Sequence, residues 1–423
     1  MIRLGLGRST HPAAWGAFAA MLAMAGLPIY IHAPKFYVDE YGTSLAALGV
    51  MLFALRLLDF VQDPVLGWLA HATAAHRRAM VAGAGAVMAV SMLGLFAVPP
   101  PIAPLAWFAL TLTGLFSAFS FLTICFYAQG VTKGETMGEN GHIRLAAWRE
   151  AGALLGVCAA AAAPTLLALG PNPPFEAFAI LFAAFTMGAL WLMRDAFTAQ
   201  TNTAQATTAP PALNGFGIVL RDRVARRLLI VALLNAAPVA VSSTLFLFFV
   251  ESRLQAPGQE GPLLLLFFLS AAAAPLWAKA ARRYGAKPAL LCGMALAIAA
   301  FALTGFLGPG DTTAFALICI ATGAALGADL TLLSALFARR MAQVLPDAST
   351  GFALWAFVSK ATLALAAITV LPLLQWQGFT GPQSPPQALL TLGLLYAALP
   401  CALKLLAIAT LATTPLESDP HHG

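Results

Sequence analysis

Apolar residues run along this chain in long blocks, at about 13–38, 44–70, 79–98, 102–128, 145–168, 175–193, 227–250, 262–280, 287–308, 313–338, 350–375 and 386–411. Each block is near the roughly 20 residues a helix needs to cross a bilayer. Turn-forming segments separate most of them, as in Pro99-Pro100-Pro101, Gly170-Pro171-Asn172-Pro173-Pro174 and Gly308-Pro309-Gly310. The pattern predicts an all-α membrane protein with twelve transmembrane helices. The first block has no small-residue cleavage site behind it and reads as a retained span.

Composition sharpens this picture. Hydrophobic residues make up 60% of the chain and charged residues 9%, against about 25% charged in soluble proteins, so a water-clothed globule is excluded. A net charge of +6 would suggest nucleic acid in a soluble protein. Here the basic residues instead collect in alternate connecting segments, such as Arg77-Arg78 and Arg282-Arg283, as the positive-inside rule requires. That places both termini in the cytoplasm, in an integral plasma (inner) membrane protein with the lipid bilayer as its solvent and no nucleic-acid partner. Only Lys35 and Arg253 fall in outer segments. The five cysteines lie in apolar runs without metal-ligand spacing and read as small buried residues.

A polar, low-complexity stretch containing TAQTNTAQATTAPPALNG divides the spans six and six. The expected organisation is a six-helix bundle over 1–194, a flexible cytoplasmic linker over 195–225, and a second bundle over 226–423 ending in a short cytoplasmic tail.

The chemistry concentrates in the second span. Arg56, Asp59 and Asp63 stand at i, i+3 and i+7, one face of a helix. A charge at the bilayer centre costs at least ~2.5–3.5 kcal/mol, so such residues face polar cavities and pair with one another. Two carboxylates one turn apart suit a cation, as hard oxygen ligands, or a proton, because like charges hinder double ionisation. The bland alternative is that Arg56 only neutralises Asp59 and Asp63 snorkels to the interface. Lys360 lies deep in the eleventh span; its partner could be Asp329 of the tenth, an acidic substrate, or the aspartate pair. Tyr30, His32 and Lys35 occupy the outer half of the first span.

These residues sit in segments that resemble a known family. YVDEYGTSLAALGVMLFALRLLDFVQDPVLGWL is similar to the start of the glycoside-pentoside-hexuronide:cation symporters of the major facilitator superfamily, typified by the melibiose carrier; Arg56, Asp59 and Asp63-Pro64 match its second-span signature. RLAAWREAG, Arg144 to Gly152, resembles the entry to the family's fifth span, and GFALWAFVSKATLALAAITVLPLLQWQGF, Gly351 to Phe379, its eleventh. The resemblance implies the major facilitator fold, with Asp59 and Asp63 as cation ligands, a candidate sodium site, and Arg149 and Lys360 near substrate. Gln62 stands where the melibiose carrier has an asparagine ligand, and Ser120 could supply a hydroxyl. The carboxylates that hold a galactosyl ring there are replaced by Thr123 and by apolar residues around Met21 and Leu22, which argues against a galactoside. Tyr127 is placed for stacking on a sugar, and Trp355 joins the candidate substrate contacts. In the loop GWLAHATAAHRRA, His71 replaces the acid of the superfamily's gating loop.

The expected function is secondary transport of a small organic solute by alternating access, coupled to H⁺ or Na⁺, in a monomer without cofactor. The rival within transport is a carrier of lysolipids or other amphipathic molecules. A membrane-embedded enzyme is the distant alternative, since the chain has no HExxH, no GxSxG and no clustered histidines.

Overall fold

The computed structural model describes residues 12–136, 141–197, 213–344 and 349–415. Arg3, Arg8 and most of the low-complexity stretch lie outside them. The described residues are helical, with no strand, and twelve helices are long and apolar enough to cross a membrane: Ala13–Tyr41, Leu45–Ala70, Ala74–Phe96, Pro104–Gly130, Trp148–Leu167, Pro174–Met193, Arg223–Arg253, Glu260–Tyr284, Ala286–Phe306, Thr312–Met341, Leu354–Trp376 and Pro386–Ala412. They are called the first to twelfth spans below. The protein is an integral membrane protein.

Several spans depart from uniform α-helix where the sequence disfavours it. The first breaks after Met24 and restarts at Leu27, with Pro28 in its first turn, where a missing N–H costs nothing. Pro164, Pro238, Pro372 and Pro400 sit inside continuous helices. The seventh span ends in a π-helical turn, Phe249–Arg253, and the tenth contains another, Asp329–Leu333. Such turns gather at functional sites because they loosen the backbone ladder. Gly285, between the eighth and ninth spans, has φ +91, a conformation that side chains resist.

The chain divides into two compact units, Met1–Ala33 with Leu57–Thr208, and Pro34–Arg56 with Ala209–Gly423. In the first unit the fifth span packs closely on the first through small residues: a Cβ on Gly152 would stand 2.0 Å from the Gly16 carbonyl oxygen, and one on Gly156 2.2 Å from that of Ala20. Only glycine permits this approach. Trp15, Phe18 and Phe126 form an aromatic core beside it, with Phe18 and Phe126 stacked at 5.0 Å.

The second unit has a core of its own around Leu228, Leu290, Met294, Leu332 and Phe337. Tyr396 stacks on Phe249 at 4.1 Å. This unit also holds the start of the second span. Gln375 accepts hydrogen bonds from the Ser44 hydroxyl (2.8 Å) and the Ala46 N–H (2.7 Å), satisfying donors that a helix N-terminus leaves open. Gly49 lies against the Ala367 carbonyl. The sequence places the division only in the central linker, whereas these contacts tie Pro34–Arg56 to the later half.

Part of the stretch expected as a linker, 195–225, has local structure. Leu213–Arg221 is a helix, and Asp222 caps the following helix by accepting from the Ala225 N–H at 2.7 Å.

Candidate functional site

Asp59 is the most deeply buried carboxylate of the second span, 2% exposed, while Asp63 and Arg56 are half-buried. The Gln62 amide donates from Nε2 to Asp59 Oδ1 at 2.9 Å, and its Oε1 accepts from the Ser117 hydroxyl at 2.8 Å. Three groups thus form a directed chain, Ser117 to Gln62 to Asp59. Gln62 can serve Asp59 because it lies three residues along the same helix, and Ser117 reaches it from the fourth span. Arg56 belongs to the second unit and the aspartates to the first.

The structure places Ser120 one turn beyond Ser117, buried on the fourth span. The hydroxyl that touches the Asp59 network is therefore Ser117, which the sequence reading passed over. Its signal was present in the spacing, since both serines fall on one face of the same helix.

Further along that helix, Tyr127 meets Arg149 of the fifth span, whose guanidinium lies 4.7 Å from the ring centroid. Glu150 holds the same guanidinium through hydrogen bonds of 3.0 Å and 2.8 Å. The ring is half exposed. Stacked and anchored in this way, Arg149 and Tyr127 make a flat cationic-aromatic platform, a form suited to polar rings. Thr123, one turn before Tyr127, carries a buried hydroxyl with no hydrogen-bond partner among the described residues. A native fold seldom leaves such a group unsatisfied, which makes it a candidate ligand contact.

In the second unit, Trp355 packs on Phe337 at 4.9 Å and joins the hydrophobic core, and Lys360 is half-buried on the same helix. Asp329 is buried and ion-paired, but with Lys404 of the twelfth span. Of the three partners left open for Lys360, Asp329 is thus taken up by Lys404. Both lysines are intramembrane, and spacing along the chain cannot say which one a neighbouring helix presents. Asp329, Lys404 and Ser242 are among the residues lining a mainly apolar recess.

Lys35 bonds both Asp39 (2.5 Å) and Glu251 (2.6 Å), beside a cavity of about 350 Å³ that Ser44 and Gln375 also line. His32 is buried in the first unit, its ring 5.9 Å from that of Phe175.

Comparison with known proteins agrees with this architecture. A family model described as MFS/sugar transport protein matches residues 12–418. Among solved structures, the nucleoside transporter NupG superposes with a TM-score of 0.71 at 15% identity, over 94% of this chain and 98% of that one; a point mutant of the same transporter gives 0.72 at 16%, over 95% and 100%. A bacterial homologue of the human lysosomal transporter Spinster, in an inward-facing and occupied conformation, gives 0.66 at 14% identity, over 97% and 98%. At such identities the likeness to solved structures concerns the fold, and the family model supplies the membership. The chain belongs to the MFS/sugar transport protein family of the major facilitator superfamily, as a secondary transporter of small organic solutes and not an enzyme.

Proposed function

We propose that this transporter is a proton-coupled symporter working by alternating access, in which Asp59 carries the proton and the Arg149–Tyr127 platform with Thr123 receives the solute. The observation that supports proton over sodium is the orientation of Gln62. Its amide N–H points at Asp59 and its oxygen is engaged by Ser117. A sodium shell needs oxygens converging on the ion, whereas here a donor takes the place of a ligand. A carboxylate held by a donor can exchange its proton without rebuilding that contact. Asp63, one turn away on the same helix, is the second acidic group through which the proton passes.

The platform fits a polar ring, and the description of the family and the name of one structural neighbour suggest sugars and nucleosides as the first panels. The placement of basic residues supports an inner-membrane location with cytoplasmic termini, and we take the single chain as the transporting unit. The test is a ligand-stabilisation screen on the purified protein, followed by uptake into vesicles with a pH or a sodium gradient imposed separately. Uptake driven by the pH gradient alone, and lost in Asp59→Asn, is the expected result. Uptake that follows only the sodium gradient, or ignores both, overturns the coupling assignment.

A further inference from the structure

Arg253 ends the seventh span, and among the described residues no hydrogen bond or ion pair holds its guanidinium. The acid two residues before it, Glu251, is engaged by Lys35. Arg253 lines a cavity of about 480 Å³ together with Gly305 of the ninth span and Gly393, Leu394, Ala397 and Cys401 of the twelfth. The cavity lies wholly within the second unit. Its rim faces outward, since Leu394 is 55% exposed and Phe306, beside Gly305, is 86% exposed.

Dimensions and charge together identify the occupant. The twelfth span lines the cavity from Leu390 to Cys401, which at ~1.5 Å per residue is about 16 Å of helix. Half of a hydrocarbon core of about 30 Å is the depth of one leaflet. The seventh span's last residues and the twelfth span's first ones reach the same membrane surface, because consecutive spans alternate direction and an odd number of connections separates the two. Arg253 is therefore at headgroup level and the groove descends from it through a single leaflet. A guanidinium presents paired donors that match a phosphate. Small residues leave room below it for a chain of methylenes.

We infer that this groove is a phospholipid site, with the phosphate on Arg253 and one acyl chain between the ninth and twelfth spans. The assignment is independent of the coupling mechanism. Gly393 offers a clean probe, because a Cβ there meets nothing within 4 Å. A leucine at this position therefore starts from open space and should fill the groove.

The experiment uses the full chain purified in detergent and given either dioleoyl phosphatidylglycerol or a galactosyl diacylglycerol with the same chains and no phosphate. Native mass spectrometry counts the lipid retained, and thermal unfolding reports stabilisation. The wild type is expected to retain one phosphatidylglycerol and to unfold at a higher temperature with it. Arg253→Gln and Gly393→Leu should each weaken retention by about tenfold or more, while lipid-free unfolding stays near the wild type. Arg253→Lys, which keeps the charge but not the fork, should fall between. Equal retention of the two lipids, or wild-type retention by Gly393→Leu, overturns the assignment. A lipid-independent dimer that Gly393→Leu abolishes also overturns it, giving the groove to a second copy of the chain.

Discussion

Lys404 of the twelfth span delivers its ammonium to the carboxylate of Asp329 in the tenth, and both side chains are more than nine-tenths buried. Removing one partner leaves an uncompensated charge among apolar walls, at a cost of about 3–5 kcal/mol. Lys404→Met and Asp329→Leu should therefore each lower the unfolding temperature sharply. The double variant, which removes both charges, should recover most of the loss. Thermal unfolding of the four proteins forms the cycle; a double variant no better than the worse single one would mean that the pair is not the unit of stabilisation.

This pair marks the boundary of what the sequence could disclose. The spans were legible because membrane-length apolar runs have few other uses, and the Arg56, Asp59, Asp63 face was legible because it lies within one helix, where spacing is geometry. Lys404 and Ser117 were not, because their roles depend on how separate helices are rotated against each other. The same holds for Gln375, whose bonds to Ser44 and Ala46 cap the second span's helix from 329 residues away or more. Leu213–Arg221 escaped notice for another reason: its short apolar pattern adjoins a polar low-complexity stretch that reads as a linker. Arg149 and Tyr127 came from the family resemblance, and the structure brings them into contact.

The glycines of the fifth span carry a sharp steric prediction. Gly152 and Gly156 are one turn apart and face backbone carbonyls of the first span, which cannot move aside as a side-chain tip would. Gly156→Ala should cost roughly 2 kcal/mol or more by forcing the two helices apart, despite alanine's better helix propensity. Gly188, where a Cβ meets nothing within 4 Å, is the control: Gly188→Ala should be neutral or slightly stabilising. Unfolding temperatures of the two variants decide the matter.

The directed chain from Ser117 through Gln62 to Asp59 predicts a graded series. Ser117→Ala removes the group that orients the amide, and pH-gradient-driven uptake should slow by several-fold while remaining proton-dependent. Gln62→Leu removes the donor to Asp59 altogether, so pH-gradient-driven uptake should slow further than in Ser117→Ala. Gln62→Asn, shorter by one methylene, should resemble Gln62→Leu if reach to Asp59 matters. Uptake profiles superimposable on the wild type in all three would remove the network from the coupling mechanism.

Asp222 joins two stabilising roles at the start of the seventh span, and acid should separate them. It caps the helix through the Ala225 N–H, and it receives the fork of Arg340 at 3.0 Å and 2.6 Å. The Arg340 hydrogen bonds, aided by the Ala225 N–H and opposed by partial burial, hold the carboxyl below its ordinary value of 3.8. A lowered folded-state value means that the stabilisation is complete above the unfolded value and is lost as pH falls through the folded one, so the loss belongs to pH below 3.8. Asp222→Asn keeps a capping oxygen but no charge; it should be mildly less stable at pH 7 and lose less than the wild type between pH 5 and pH 3. Asp222→Ala forfeits both the cap and the pair, about 2 kcal/mol together at pH 7. Thermal unfolding across this pH range checks the order, and an Asp222→Asn protein with the same acid sensitivity as the wild type would show that other carboxylates govern it.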